Sequence, residues 1–359
     1  MDLNILWFVL IAVLYTGFFV LEGFDFGIGI LLPFLGKNDA ERRVILNTVG
    51  PTWDANEVWL ILAGGATFAA FPHWYATLFA GFYLPLFLVL VALVFRGVAF
   101  EFRSKVDKPG WRNFWDYAAF GGSLLVPLLF GVAFANILQG VPIDQEMNYT
   151  GGFFNLLNPF ALIGGVTFLC LTVLLGALFL KIKTSGDVQE RAVRTVKTMW
   201  LPSILLAIAF GIFATIGQSS QGSMNPVGVG ITILAALVLL GGFFAQRSGK
   251  VGWAFALGVA GMAAVSAIVF ALLFPNVMVS STDPAFSLTI YNAASSAKTL
   301  QVMSIVVLIF LPVVLAYQAY NYWVFRKRIT TQSEDLHYYS HVSTKGLDAP
   351  GSRKRSGAL

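Results

Sequence analysis

Residues 226–246 read PVGVGITILAALVLLGGFFAQ, a run without a charged side chain. A helix needs about 20 apolar residues to cross the hydrocarbon core of a bilayer, and this run is long enough. Comparable runs lie on both sides of it, over 5–35, 50–71, 77–100, 117–138, 159–181, 199–217, 252–274 and 300–325. Pro and Gly fall mostly at their ends, as at Pro72, Pro109-Gly110, Pro142, Pro275 and Pro284, where helix breakers belong. Composition agrees with the runs. Hydrophobic residues make up 57% of the 359 and charged residues only 11%, with a mean hydropathy of +0.76. A soluble surface of that size would need about a quarter of its residues charged. The predicted class is an all-α polytopic membrane protein with nine transmembrane helices.

The connections sort by charge. Of the 23 basic residues, all but Lys298 fall on one side if nine helices alternate. They cluster at Lys37 to Arg43, Arg96 to Arg112, Lys181 to Lys197, Arg247 and Lys250, and from Arg326 onward. The positive-inside rule then places the N-terminus outside and the C-terminus in the cytoplasm. The chain opens Met-Asp-Leu-Asn, without a basic n-region or a small-residue cleavage motif, so no removable signal peptide is expected. The net charge of +5 is thus topology and not a nucleic-acid footprint, although the basic tail would also suit anionic lipid. Cys170 is the one cysteine, which excludes a disulfide framework and a structural zinc site.

Two stretches repeat. Arg103-Ser104-Lys105 with Gly110-Trp111 returns as Arg247-Ser248-Gly249-Lys250 with Gly252-Trp253, and Phe134-Ala135-Asn136-Ile137 returns as Phe274-Pro275-Asn276-Val277. Thr48-Val49 with Trp53 is echoed by Thr195-Val196 with Trp200. The expected architecture is two parallel-repeat four-helix bundles, helices 1–4 and 5–8, plus helix 9. In residues, the first bundle spans 1–140, the second 155–280 and the ninth helix 298–326, followed by a basic, partly disordered cytoplasmic tail over 327–359.

The two bundles differ where chemistry would lie. Glu22, Asp25, Asp54, Glu57, Arg96 and Glu101 fall within the first four spans and their inner ends, and the next four spans contain no acid. A carboxylate at the centre of a bilayer costs about 2.5–3.5 kcal/mol on insertion scales, and the second bundle shows that the scaffold does without them. Glu22 with Asp25, and Asp54 with Glu57, are spaced i, i+3, so each pair shares one helix face. At 1.5 Å per residue, Asp25 lies roughly 16 Å, Asp54 about 6–9 Å and Glu57 about 10–14 Å from the cytoplasmic ends of their helices. Acids at staggered depth suit a proton-uptake path. They would equally suit a polar network joining helices 1–3, with Arg96 paired to Asp54 or Glu57. Glu101 and Arg103, at the membrane boundary, read as interfacial charges.

The histidines are His73, expected in an external loop, and His337 and His341 in the tail. With none in a span and a solitary Cys170, the chain is expected to bind no haem and no metal itself. The glycines of Gly23-Phe24-Asp25-Phe26-Gly27-Ile28-Gly29 lie mid-span and read as a helix-packing face.

Several of these residues carry a family resemblance. Glu22-Gly23-Phe24-Asp25-Phe26-Gly27 and Thr52-Trp53-Asp54-Ala55-Asn56-Glu57-Val58-Trp59-Leu60 resemble subunit II of cytochrome bd-type quinol oxidases. So do Ala63-Gly64-Gly65-Ala66, Phe68-Ala69-Ala70-Phe71-Pro72, and the run from Phe95-Arg96 to Glu101-Phe102-Arg103. The similarity covers residues 1–330 and is strongest over 17–105; Ala55 stands where glycine is common. It implies a partner subunit I carrying haem b and haem d, with quinol as substrate and dioxygen reduced to water in a cell membrane. It implies a haem-free role for this chain, with Asp25 and Asp54 on a proton path and Trp53 beside it. It leaves room for a structural quinone and a small accessory subunit. The residues alone also admit a proton-coupled transporter and a purely structural partner subunit.

Overall fold

The computed structural model describes residues 2–217 and 225–330. The tail beyond Thr330, with His337 and His341, lies outside the described residues. Eleven α-helices follow in order: α1 Leu3–Leu35, α2 Asp39–Val49, α3 Trp53–Ala70, α4 Pro72–Gly81, α5 Tyr83–Phe102, α6 Pro109–Gln139, α7 Pro159–Lys183, α8 Asp187–Gly217, α9 Pro226–Arg247, α10 Val251–Leu273 and α11 Ala297–Val324. An antiparallel pair, β1 Asn276–Met278 and β2 Leu288–Thr289, closes the loop before α11.

Local chemistry sets the boundaries. Asp2, Asn38, Asn158, Asn225 and Ser296 each turn a side-chain oxygen onto a backbone amide of the helix they precede. Pro72, Pro109, Pro159 and Pro226 open α4, α6, α7 and α9, where the missing N–H costs nothing.

One expected span is divided, and the expected connection 36–49 is largely helical, as α2. The run 77–100 resolves into α4 and α5 with Phe82 between them, because Pro85 has no N–H to donate to the carbonyl of Gly81. Upstream, α2 and α3 are separate helices meeting at Gly50-Pro51-Thr52, where Thr52 N donates to Val49 O at 2.8 Å. Two other helices start earlier than expected, α6 at Pro109 and α8 at Asp187, which places Asp116 inside a helix. His73 lies exposed on α4, not in a loop.

Among the described residues eight helices, α1 and α5 to α11, are long and apolar enough to cross a membrane. The expected span 50–71 corresponds to α3, which is 18 residues long and carries Asp54, Asn56 and Glu57 in its first turns, so it falls outside that set.

The core is built on α1, which packs against α3, α6, α7 and α10, while α7 also packs on α6 and α8. Glycine makes the closest crossings possible. A Cβ on Gly27 of α1 would lie 2.1 Å from the carbonyl oxygen of Thr172 and 2.9 Å from the backbone of Gly176 on α7. Gly131 of α6 meets Gly164 and Gly165 of α7 in the same way. Helices in lipid gain attraction from such van der Waals approach, because the hydrophobic effect is weak between them.

Helix α11 is peripheral, with only Leu300 and Gln318 buried. It is bolted at both ends. Trp7 Nε1 donates to the Leu300 carbonyl and to Ser304 Oγ, both at 3.1 Å. At the other end Lys183 Nζ donates to the carbonyls of Phe325 and Lys327. Between the bolts an apolar cleft of about 480 Å³ separates α11 from α1 and α3.

Candidate functional site

Three helices bring charge to one buried point. Glu22 on α1 and Arg96 on α5 have no exposed side-chain surface, and Glu57 on α3 retains 22%. Arg96 Nη1 forms an ion pair with Glu22 Oε1 and a second, at 3.1 Å, with Glu57 Oε2. Aromatic faces enclose the guanidinium: its carbon lies 4.6 Å from the Phe26 ring centre, 5.3 Å from Phe100 and 5.9 Å from Trp53. Such contacts attract a cation most where water is excluded. A small neighbour admits the arginine, since a Cβ on Gly122 of α6 would lie 2.9 Å from Arg96 Cβ.

One helical turn along α1, Asp25 is fully buried. Its Oδ2 accepts from Asn56 Nδ2 at 2.7 Å, and the same amino group reaches the Leu21 carbonyl at 3.4 Å. On its other side Asn56 Oδ1 accepts from Gln318 Nε2 and from the Tyr322 hydroxyl, both at 2.8 Å. The site therefore draws on α1, α3, α5 and α11.

The structure thus brings Glu22, Asp25, Glu57, Arg96 and Trp53 together. Arg96 pairs with Glu57, one of the two partners expected, and with Glu22. Asp54 and Glu101 lie elsewhere: both are exposed, Asp54 on the outer side of α3 and Glu101 near the end of α5. Arg103 is not an interfacial charge facing water. It is buried, donating to Asp116 Oδ1 at 2.5 Å and to Asp39 Oδ1 at 2.9 Å. Arg42 Nη1 completes that second cluster, 2.8 Å from Asp116 Oδ2.

Asn56, Gln318, Tyr322 and Asp116 were not singled out from the sequence. A signal for the α11 pair existed, because Gln318, Asn321 and Tyr322 are spaced i, i+3, i+4 just after the wholly apolar run 305–316 of that helix. Asp116 fell one residue outside the expected span.

Chemically, the membrane-level site sets three carboxyls against one guanidinium. Full ionisation would leave an uncompensated excess of negative charge in a medium that penalises it. Such a group of acids approaches neutrality only by carrying protons. Asp25 Oδ1, Glu22 Oε2, Arg96 Nε and Arg96 Nη2 are buried without a hydrogen-bond partner in the protein, so the site keeps polar capacity that its own side chains do not use.

Among the described residues no group of three or more His, Cys, Asp and Glu is arranged to hold a metal ion. Among these residues the one histidine, His73, is exposed, and Cys170 is the one cysteine.

The model of the cytochrome bd terminal oxidase subunit II family matches residues 3–325. The chain belongs to that family. It is 43% identical to cytochrome bd ubiquinol oxidase subunit 2 of Bacillus subtilis, over 92% of this chain and 97% of the relative. To cytochrome bd-I ubiquinol oxidase subunit 2 of Escherichia coli it is 38% identical, over 94% and 98%. Its fold is shared with a chain in the structure of bd oxidase from Geobacillus thermodenitrificans, at a TM-score of 0.71 and 16% identity, covering 91% of this chain and 100% of that one. The chain is accordingly a multi-pass protein of a bacterial membrane.

Proposed function

We propose that this chain is the haem-free subunit of a bd-type quinol:oxygen oxidoreductase, that it supports a haem-bearing subunit I, and that it carries part of the proton path from the cytoplasm. One observation carries the reading: the only group of membrane-level acids among the described residues converges on Arg96 and Asn56, at the junction of α1, α3, α5 and α11. In this reading Asp25, Glu22 and Glu57 pass protons and Arg96 holds the excess negative charge. Asp54, exposed at the start of α3, is where the path meets water or the partner, and Trp53 packs between them and α5. Glu101 sits at the cytoplasmic rim.

The reading includes nine membrane crossings, with α3 as the short second one, an external N-terminus and a cytoplasmic C-terminus. The parallel duplication is supported by a recurring contact. Trp53 Cη2 lies 3.3 Å from where a Cβ on Gly97 would be, and Trp200 Cη2 lies 2.4 Å from where one on Gly242 would be, one residue beyond the position that matches Gly97 in the repeat. The partner's haems and quinol supply the redox chemistry, and no step of that chemistry runs through this chain. The apolar clefts, such as the one of about 420 Å³ beside Tyr15 and Phe134, offer a lining for an isoprenoid tail but few donors for quinone carbonyls. Anionic lipid along the basic face and a small accessory subunit are compatible with this assignment.

The test is quinol-oxidase turnover of the intact complex. Asp25→Asn is expected to lower it by about two orders of magnitude, the low end of what positioned acid–base groups supply, and Asp54→Asn by less, with haem content retained. A fully assembled Asp25→Asn complex with unchanged turnover would sink the relay.

A further inference from the structure

Asn56 is saturated. A carboxamide has two donor hydrogens and two acceptor lone pairs, and Asn56 uses all four: Nδ2 toward Asp25 and Leu21, Oδ1 from Gln318 and Tyr322. The orientation of an amide is dictated by the groups around it. Here the dictating groups lie on α11, since two donors on that helix fix Oδ1 on their side and leave the amino group for the acid. Asn321 Nδ2 reinforces the register by reaching the Pro51 carbonyl at 3.4 Å, just ahead of α3. The Tyr322 ring in turn packs edge-on to Phe24 of α1, with ring centres 6.3 Å apart.

Helix α11 otherwise touches the bundle sparsely, which makes the polar contacts conspicuous. Gln318 is one of only two buried residues on the helix, and a buried amide serves specificity only when every member of its network is satisfied. We propose that Gln318 and Tyr322 are positioning residues for Asp25: they hold the Asn56 carboxamide so that its amino group always faces the carboxyl, and α11 thereby sets which Asp25 oxygen accepts and which is left to exchange a proton. This rests on the assignment of Asp25 to the proton path. With both donors removed, Oδ1 becomes a buried acceptor without a partner and nothing on α11 holds the amide in one orientation. The flipped orientation, which turns Oδ1 toward Asp25 and the Leu21 carbonyl, is then tolerated only where a protonated Asp25 donates to it, so the amide no longer presents a donor to the carboxyl at all times.

The experiment uses the intact oxidase complex carrying Tyr322→Phe, Gln318→Leu or both, with haem content and subunit composition checked first. Infrared difference spectra read the carboxyl stretch assigned to Asp25 by its loss in Asp25→Asn. Either single variant leaves Oδ1 one donor and is expected to cost less than about threefold in turnover, whereas the double variant is expected to cost about three- to tenfold, the scale of one neutral hydrogen bond. The quinol KM should not change, and the Asp25 band should shift in the double variant. A band fixed in position together with an unchanged kcat in the double variant overturns the proposal. If that variant does not assemble, Gln318→Met with Tyr322→Phe removes the same two donors with less change of shape, and a band and kcat both unmoved in it overturn the proposal. An Asp25→Asn complex with normal turnover would instead defeat the proton-path reading itself, whatever the band does.

Discussion

Arg96→Leu should be the most damaging single substitution in the membrane interior. The guanidinium is the counter-charge for both Glu22 and Glu57, and neither it nor Glu22 has any exposed side-chain surface. Removing one member of a buried pair costs about 3–5 kcal/mol, because the other charge stays buried alone. Loss of the contact with the Phe26 ring adds about 0.5–2 kcal/mol, part of which the leucine returns by packing. Glu22→Leu should cost less, because Arg96 keeps Glu57. The decisive variant is the double, Arg96→Leu with Glu22→Leu. It leaves only Glu57, which is 22% exposed and so can reach water. Replacing a whole buried pair by hydrocarbon is often neutral, so the double should be more stable than Arg96→Leu alone, by about 2 kcal/mol, a factor of about 30 in the folding equilibrium. Denaturant titration of the detergent-solubilised complex, followed by subunit dissociation, measures all four corners of the cycle. Costs that add to within about 0.5 kcal/mol would mean that the two residues are not coupled, and the ion-pair account of the site would fail.

Other substitutions separate packing from electrostatics. Gly27→Ala drives a methyl into the Thr172 carbonyl and should destabilise the α1–α7 crossing by about 1–3 kcal/mol or more. Gly64→Ala, with nothing within 4 Å, should leave the melting temperature unchanged; equal effects at the two sites would contradict the crossing geometry. Asp116→Asn strips the shared carboxylate from Arg42 and Arg103 and should cost about 3 kcal/mol by thermal denaturation, more than Arg42→Ala, whose side chain is 19% exposed. On α2, burial pushes the Glu41 carboxyl up, but hydrogen bonds from Arg191 and the Lys37 amide outweigh it and hold the group below its ordinary 4.5. A depressed folded value means stability that is complete above the ordinary value and lost as pH falls through the folded one. Glu41→Gln should therefore flatten the acid limb of the stability profile below pH 4.5, and an unaltered limb would show that the Arg191 tie does not matter.

The sequence made the class legible because lipid imposes a simple demand: long uncharged runs, broken by Pro and Gly and bounded by capping residues. It also pointed to the site, because carboxyls inside such runs are costly and stand out. What periodicity could not resolve was side-chain direction at the start of α3. Asp54 and Glu57 share a face as their spacing predicts, but Asn56 between them is the residue turned inward to Asp25, and Asp54 is exposed. A neutral amide leaves no trace in a charge count, which is why Asn56 and Gln318 escaped notice. Arg103 reads as interfacial for a related reason: its partner Asp116 lies in the polar first turns of α6, outside the apolar run, and a charge looks interfacial while its counter-charge is hidden. The split between α4 and α5 was hidden because Pro85 lies within an apolar run whose hydropathy overrides it.

The interruption at Gly50-Pro51-Thr52 also has an electrical side. Where Trp200 lies within an unbroken α8, Trp53 is the first residue of a new helix whose opening turn has no side-chain cap. A helix N-terminus behaves as roughly half a positive charge, from amides that lack an intrahelical acceptor. The break therefore delivers a second source of positive potential to the acids, one that no mutation of a side chain can remove and no change of pH can titrate. Arg96 can be substituted; this contribution is written into the backbone. Helix α8 has no such break at Trp200, so this contribution belongs to the start of α3 and not to the matching point of α8.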